Sequence, residues 1–144
     1  MFLIGIDNAQ TIKSRQNLAK LYKKQGKLDM AETEFYEVLK SVEKTHGKTS
    51  IETIRVVSTI AILLKMQGKL LEAEDMYDVA LSGYMKLSGK NSIDTLCTLN
   101  NMGILYKEQK EYKKSRIAYD KALLGRQQLL GASFLIFSQM KTNW

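Results

Sequence analysis

Glycine recurs at Gly5, Gly47, Gly89 and Gly131, each 42 residues after the last and without a gap. The repetition extends well past the glycines. Gly47-Lys48-Thr49-Ser50-Ile51-Glu52-Thr53 returns as Gly89-Lys90-Asn91-Ser92-Ile93-Asp94-Thr95. Further on, Ile62, Lys65, Gln67, Tyr77, Ala80 and Leu81 return as Ile104, Lys107, Gln109, Tyr119, Ala122 and Leu123. The first unit, 5–46, keeps the same character through Leu18-Ala19, Tyr22, Gly26, Ala31, Phe35 and Leu39. A unit of this length is one supersecondary element that cannot cover its own apolar faces, so successive copies must stack.

Each unit holds two helix-length apolar stripes around a central break. In the first, Ile12, Leu18, Ala19 and Tyr22 lead to Gln25-Gly26, and Leu28, Ala31, Phe35, Val38, Leu39 and Val42 follow in steps of three and four. The second unit breaks at Gly68 and the third at Gln109-Lys110, where the glycine is missing. A lysine in a left-handed turn costs roughly 1 kcal/mol. Asn8, Ser50 and Ser92 stand as N-caps, with Glu52 and Asp94 in the first turns that follow. Ala19, Ala61 and Gly103 mark close helix approaches, and Phe35, Tyr77 and Tyr119 fill the space beside them. Helices are therefore expected over 9–25, 28–45, 51–67, 70–87, 93–109 and 112–129. The ungapped repeat favours an antiparallel helical solenoid over a closed six-helix bundle or a coiled coil.

Composition narrows the chemistry. One cysteine supplies neither an intramolecular disulfide nor a cysteine-based metal knuckle. Proline is absent. His46 and Cys97, the sole histidine and cysteine, fall in different units. No phosphate-cradling glycine loop or paired-carboxylate motif occurs, so neither an enzyme nor a cofactor or metal is expected. Met1-Phe2-Leu3-Ile4 is too short to span a membrane and lacks the basic flank of a secretory signal, giving a cytoplasmic protein as the expectation. The net charge of +7 favours acidic partners. Apart from Lys141, it resides in the outer units, which carry eight basic and six acidic groups (5–46) and eight and four (89–130), against five and five in 47–88.

The segments 17–32, 60–74 and 100–112 resemble the tetratricopeptide repeat in its 42-residue form, found in kinesin light chains. The likeness covers 5–130 as three repeats (5–46, 47–88, 89–130), leaving 131–144 as a partial fourth repeat or C-terminal cap. Leu64 stands for the usual aromatic, Lys110 for the turn glycine, Ser115 for the small alanine, and Ile51 and Ile93 for a proline common near the first helix start. The resemblance implies an all-α fold of antiparallel helix-turn-helix repeats in a right-handed solenoid. It also implies a concave surface lined by the first helices and binding of peptides or protein segments.

Mapping the family's concave positions selects Lys13, Gln16, Lys20, Lys23 and Lys24 in the first unit. In the second it selects Arg55, Ser58, Ile62, Lys65 and Met66, and in the third Cys97, Asn100, Ile104, Lys107 and Glu108. A basic lining with apolar patches at Ile62, Met66 and Ile104 suits an extended acidic peptide with a hydrophobic anchor. The alternative is a set of solvated lysines. Asn17 and Asn101, in equivalent places, offer amides to a ligand backbone or to a neighbouring helix. The carboxylate clamp of some chaperone-binding members is not reproduced, since Cys97 and Asn101 stand where basic side chains are wanted. The cluster Lys107, Lys110, Lys113, Lys114 and Arg116 has no base-reading signature, and neither nucleic acid nor membrane is the expected partner. Phe134, Leu135, Ile136 and Phe137 are too apolar for an open end. They are expected to pack back on the third unit or to reach another copy. Self-association through this end is the alternative to an adaptor that binds peptides.

Overall fold

The computed structural model describes residues 8–142. Gly5, at the head of the first repeat, and the Phe137 and Lys141 side chains lie outside what is described. The described residues form six helices: α1 (Ala9–Lys24), α2 (Leu28–His46), α3 (Ile51–Met66), α4 (Leu70–Ser88), α5 (Ile93–Glu108) and α6 (Tyr112–Thr142). There is no strand among them. The first five fall within about one residue of the ranges expected from the sequence. Described residues up to Gly83 form one compact unit and those from Tyr84 another.

The repeated heptapeptide has a physical explanation. Gly47 and Gly89 take positive φ, 87° and 95°, and turn the chain out of the preceding helix. Ser50 and Ser92 then cap the next one, their Oγ accepting from the Thr53 and Thr95 amides at 3.2 and 3.1 Å. Thr53 and Thr95 are themselves buried, and their hydroxyls donate back to the carbonyls of Gly47 and Gly89. Glycine, serine and threonine at these spacings thus build one closed hydrogen-bonded corner. Asn8 does the capping for α1, accepting from Thr11 N at 2.9 Å.

The turns inside the hairpins are equally regular. Gly26 N donates to Lys23 O (3.1 Å) and Lys27 N to Tyr22 O (2.9 Å), which is the paired bonding of a Schellman end. Gly68 and Lys69 repeat it on Lys65 and Leu64, and Lys110 and Glu111 on Lys107 and Tyr106. Lys110 holds φ at 62°, in the left-handed region, where Gly26 and Gly68 stand at 79° and 80°. The third turn therefore keeps its shape despite the lost glycine.

In the first unit α2 packs against both α1 and α3. It buries Ala31, Phe35, Val38 and Val42, while α1 contributes Ile12 and Ala19. Leu18 stays 38% exposed, so the buried stripe of α1 is narrower than the pattern suggested. Gly83 sits against Ile54, where an added Cβ would approach the side chain to 2.6 Å. In the second unit α5 and α6 pair just as closely. An added Cβ on Gly103 would come within 2.6 Å of the Tyr119 ring, the small-against-large pairing read from sequence. Ser115, in the alanine position, donates its hydroxyl to Gly103 O at 2.7 Å and so is satisfied in a buried place.

The C-terminal end departs from expectation. Helix α6 does not stop at 129 but runs through Gly131 to Thr142. The corner motif explains why: three residues after Gly131 stands Phe134, where Ser50 and Ser92 stand in earlier units. With no cap to start a new helix, the old one continues. Nor do the apolar residues fold back, since Leu130, Phe134, Leu135 and Ile136 are all 60% exposed or more. Asn91 still reaches Gln128, donating to its Oε1 at 2.6 Å.

Candidate functional site

A groove runs in the first unit between α1 and α3, which both pack on α2. Its volume is about 460 Å³. The floor is apolar: Ile12 from α1, Phe35 and Val42 from α2, and Val56 from α3, all buried. The walls are polar and mostly basic. From α1 come Lys13, Gln16 and Lys20, and from α3 Arg55 and Thr59, with Glu52 the one acid. His46, at the last position of α2, closes one end, its Nδ1 2.8 Å from Thr45 Oγ1.

The charges on these walls are available. Arg15 is tied to Glu34 across α1 and α2 at 3.0 Å, but among the described residues Lys13, Lys20 and Arg55 carry no ion pair. Cations at the rim above a buried apolar floor attract carboxylates while the floor takes an uncharged side chain. Thr59 already donates its hydroxyl to Arg55 O (3.0 Å) and faces a ligand only as an acceptor.

Of the residues selected from sequence, Lys13, Gln16, Lys20 and Arg55 are brought together here. Asn17, Lys23 and Lys24 lie elsewhere on α1, and Ser58, Ile62 and Lys65 elsewhere on α3. Met66 lines a different cleft, of about 570 Å³, beside the turns with Gly26, Asp29, Gln67 and Lys69. Asn100, Asn101, Ile104 and Lys107 lie on α5 in the second unit, the first three half-buried and Lys107 exposed. The sequence reading missed His46 and Glu52 as lining, and treated Phe35 and Val42 only as core. The available signal was the register of α2: residues 35, 42 and 46 recur at steps of seven and four and so share one face.

The second cleft is a structural joint. Gln67 Nε2 donates to Asp29 Oδ1 (3.0 Å) and Glu32 Oε2 (2.9 Å), and Lys69 Nζ reaches Glu32 Oε2 at 2.9 Å. Burial raises the Glu32 pKa, but the hydrogen bonds from Gln67 and Lys69 and the lysine charge outweigh it and hold the carboxyl below its usual value. The hydrogen bond to Glu32 raises Lys69 in turn. The neighbouring Tyr36 hydroxyl is raised, first by burial and then by the charges of Glu32 and Glu72. Among the described residues no cluster of three His, Cys, Asp or Glu could hold a metal ion, and no helix is long and apolar enough to cross a membrane.

Two matches to the family described as tetratricopeptide repeat cover residues 8–86 and 95–134. The chain belongs to the tetratricopeptide-repeat family. Among solved structures it is similar to BtubC (BKLC) from P. vanneervenii, with 25% identity and a TM-score of 0.76 over 82% of this chain and 46% of that one. It is also similar in fold to a kinesin-light-chain-like protein of nearly identical TPR-like repeats from Podosopora anserina, at 13% identity and TM-score 0.74, over 85% of this chain and 58% of that one. A substituted form of the latter gives a TM-score of 0.76 over 86% of this chain. The chain thus spans about half the length of these structures. No curated protein matches it in sequence. Tetratricopeptide repeats generally mediate protein–protein interactions and typically serve as non-enzymatic scaffolds.

Proposed function

We propose that this tetratricopeptide-repeat chain is a cytoplasmic, non-enzymatic adaptor that holds an extended acidic peptide in the groove between α1 and α3. The observation that carries the reading is the pairing of free cations with an apolar floor: Lys13, Lys20 and Arg55 stand over Ile12, Phe35, Val42 and Val56. A peptide carboxylate beside an aliphatic or aromatic anchor meets both, and Gln16 offers its amide to the peptide backbone. On α5, Asn100 and Ile104 stand in the register of Gln16 and Lys20, with Asn101 and Lys107 in that of Asn17 and Lys23.

A fluorescein-labelled peptide with two or three carboxylates flanking a leucine or phenylalanine should bind with Kd on the order of 1–100 μM. The variant Lys13→Glu/Lys20→Glu/Arg55→Glu should lose most of that affinity and much of its salt dependence, because attraction becomes repulsion. All three side chains are exposed, so circular dichroism should show an unchanged fold. Wild-type affinity in this variant, or chemical-shift changes confined to the outer surface of α2, would overturn the assignment.

The other reading, self-association through the C-terminal end, draws on the exposure of Leu130, Phe134, Leu135 and Ile136.

A further inference from the structure

The walls of the groove are not alike along its length. Successive helices run antiparallel through short turns, so the start of α1, the end of α2 and the start of α3 meet at one end. Lys20, late in α1, stands at the other. Ala9 and Lys20 both line the groove and lie about 17 Å apart along the helix axis, a span that about five residues of extended peptide cover.

The end with His46 holds two unused acceptors. One is Glu52, in the first turn of α3, whose carboxylate has no ion pair or hydrogen bond among the described residues. The other follows from counting protons. Thr45 Oγ1 lies 3.0 Å from Ser41 O, 3.4 Å from Val42 O and 2.8 Å from His46 Nδ1. Carbonyls only accept, and a threonine hydroxyl has one proton to give. With that proton on the helix carbonyls, the contact to His46 is a hydrogen bond only when Nδ1 carries the ring proton. The neutral imidazole then leaves Nε2 bare, and Nε2 has no partner among the described residues. Glu52 alone is explained by the helix start it favours, as is Asp94 one repeat later. His46 is particular to this groove, since Ser88 holds its place in the next repeat. The cations nearest this end, Lys13 and Arg55, each stand about one turn further in, and neither is joined to Glu52.

A ligand that is acidic throughout would set a carboxylate, which only accepts, against these two acceptors. An ammonium brings three donors and the charge opposite to Glu52. We propose, resting on the groove reading above, that the ligand is bipolar. A lysine lies on the His46–Glu52 side of its apolar anchor, and its carboxylates lie on the side toward Lys20. Glu52 and His46 thus select the ligand's order as well as its composition.

Three fluorescein-labelled peptides test this on the full chain. All share a leucine with aspartates two and three residues after it, and they differ only two residues before it, with lysine, alanine or aspartate. By fluorescence polarisation at pH 8 and low salt, the lysine peptide should bind about three- to fivefold more tightly than the alanine one, and the aspartate peptide most weakly. Glu52→Gln should bring the lysine-to-alanine ratio close to one. His46→Phe should lower it, while His46→Gln, which keeps an acceptor, should retain most of it. Nitrogen-15 spectra of the neutral imidazole should show the proton on Nδ1. A nitroxide beside the peptide lysine should broaden the amide signals of Ala9 and Glu52 more than that of Lys20. A proton on Nε2, strongest broadening at Lys20, or a ratio indifferent to Glu52→Gln would each overturn the proposal. If the aspartate peptide binds as tightly as the lysine peptide, the groove stands and its polarity is wrong. If none of the three binds, the groove reading fails and this inference with it.

Discussion

Lys110 offers a clean measure of what a backbone conformation costs in this fold. Its φ of 62° places a side-chain-bearing residue where the equivalent turns use Gly26 and Gly68. The left-handed region costs a non-glycine residue about 1–2 kcal/mol. Glycine gives back about 0.5–1 kcal/mol through the greater freedom of its unfolded chain. Lys110→Gly should therefore stabilise the protein by about 0.5–1 kcal/mol, raising Tm by about 1–4 °C. Lys110→Ala removes the charge but keeps the strain and should give no gain. The reverse experiment is available in the first unit. An added Cβ at Gly68 meets nothing within 4 Å, so Gly68→Ala tests conformation without sterics and should cost about 0.5–1 kcal/mol. Urea titrations followed by circular dichroism would measure both. A gain from Lys110→Ala equal to that from Lys110→Gly would refute the reasoning, as would a neutral Gly68→Ala, since either would show that the turn relaxes rather than bears strain.

Ala73 is fully buried, so Ala73→Leu should overpack its surroundings at a cost of about 1–3 kcal/mol, read as a lower urea midpoint. Glu32 has its pKa held below 4.5, so its contribution is present above that value and lost as pH falls through the depressed folded pKa; Glu32→Gln should flatten the acid limb of a stability–pH curve below about pH 5. Ser115→Ala leaves Gly103 O without its buried donor and should destabilise by about 1–2 kcal/mol, even though alanine is the better helix former. Deleting 132–144 removes exposed apolar surface beyond the three repeats, so solubility should rise with Tm nearly unchanged; a fall of several degrees would mean that the segment is covered in solution.

The fold was legible because its local signals agree at every level. Ser50 and Ser92 cap where serine should cap, the stripe of α2 buries Ala31, Phe35, Val38 and Val42, and Tyr119 fills the gap that Gly103 leaves. These are short-range rules, and a repeat applies each of them two or three times in one sequence. What failed was the end of the chain, where Gly131 was read by its spacing alone. Spacing marks a boundary only when the residues that build it are present, and Phe134 in place of a capping serine cannot turn the helix. The narrowness of α1's buried stripe has a similar origin. Leu18 corresponds by repeat to the fully buried Ile60, but α1 has no preceding helix among the described residues, so the same position is left partly open.

The site was harder to read because it belongs to no single helix. Listing one face of α1 and one of α3 found Lys13, Gln16, Lys20 and Arg55, but a periodic list cannot say which members of that face converge. Convergence depends on where two helices part above a third, and the groove opens over Phe35, Val42 and His46 of α2. Farther along the same helices, Lys65 and Met66 approach the turns, where Gln67 and Lys69 close on Asp29 and Glu32. The first half of α3 thus borders the groove beside α1, while its other end is bonded to α2.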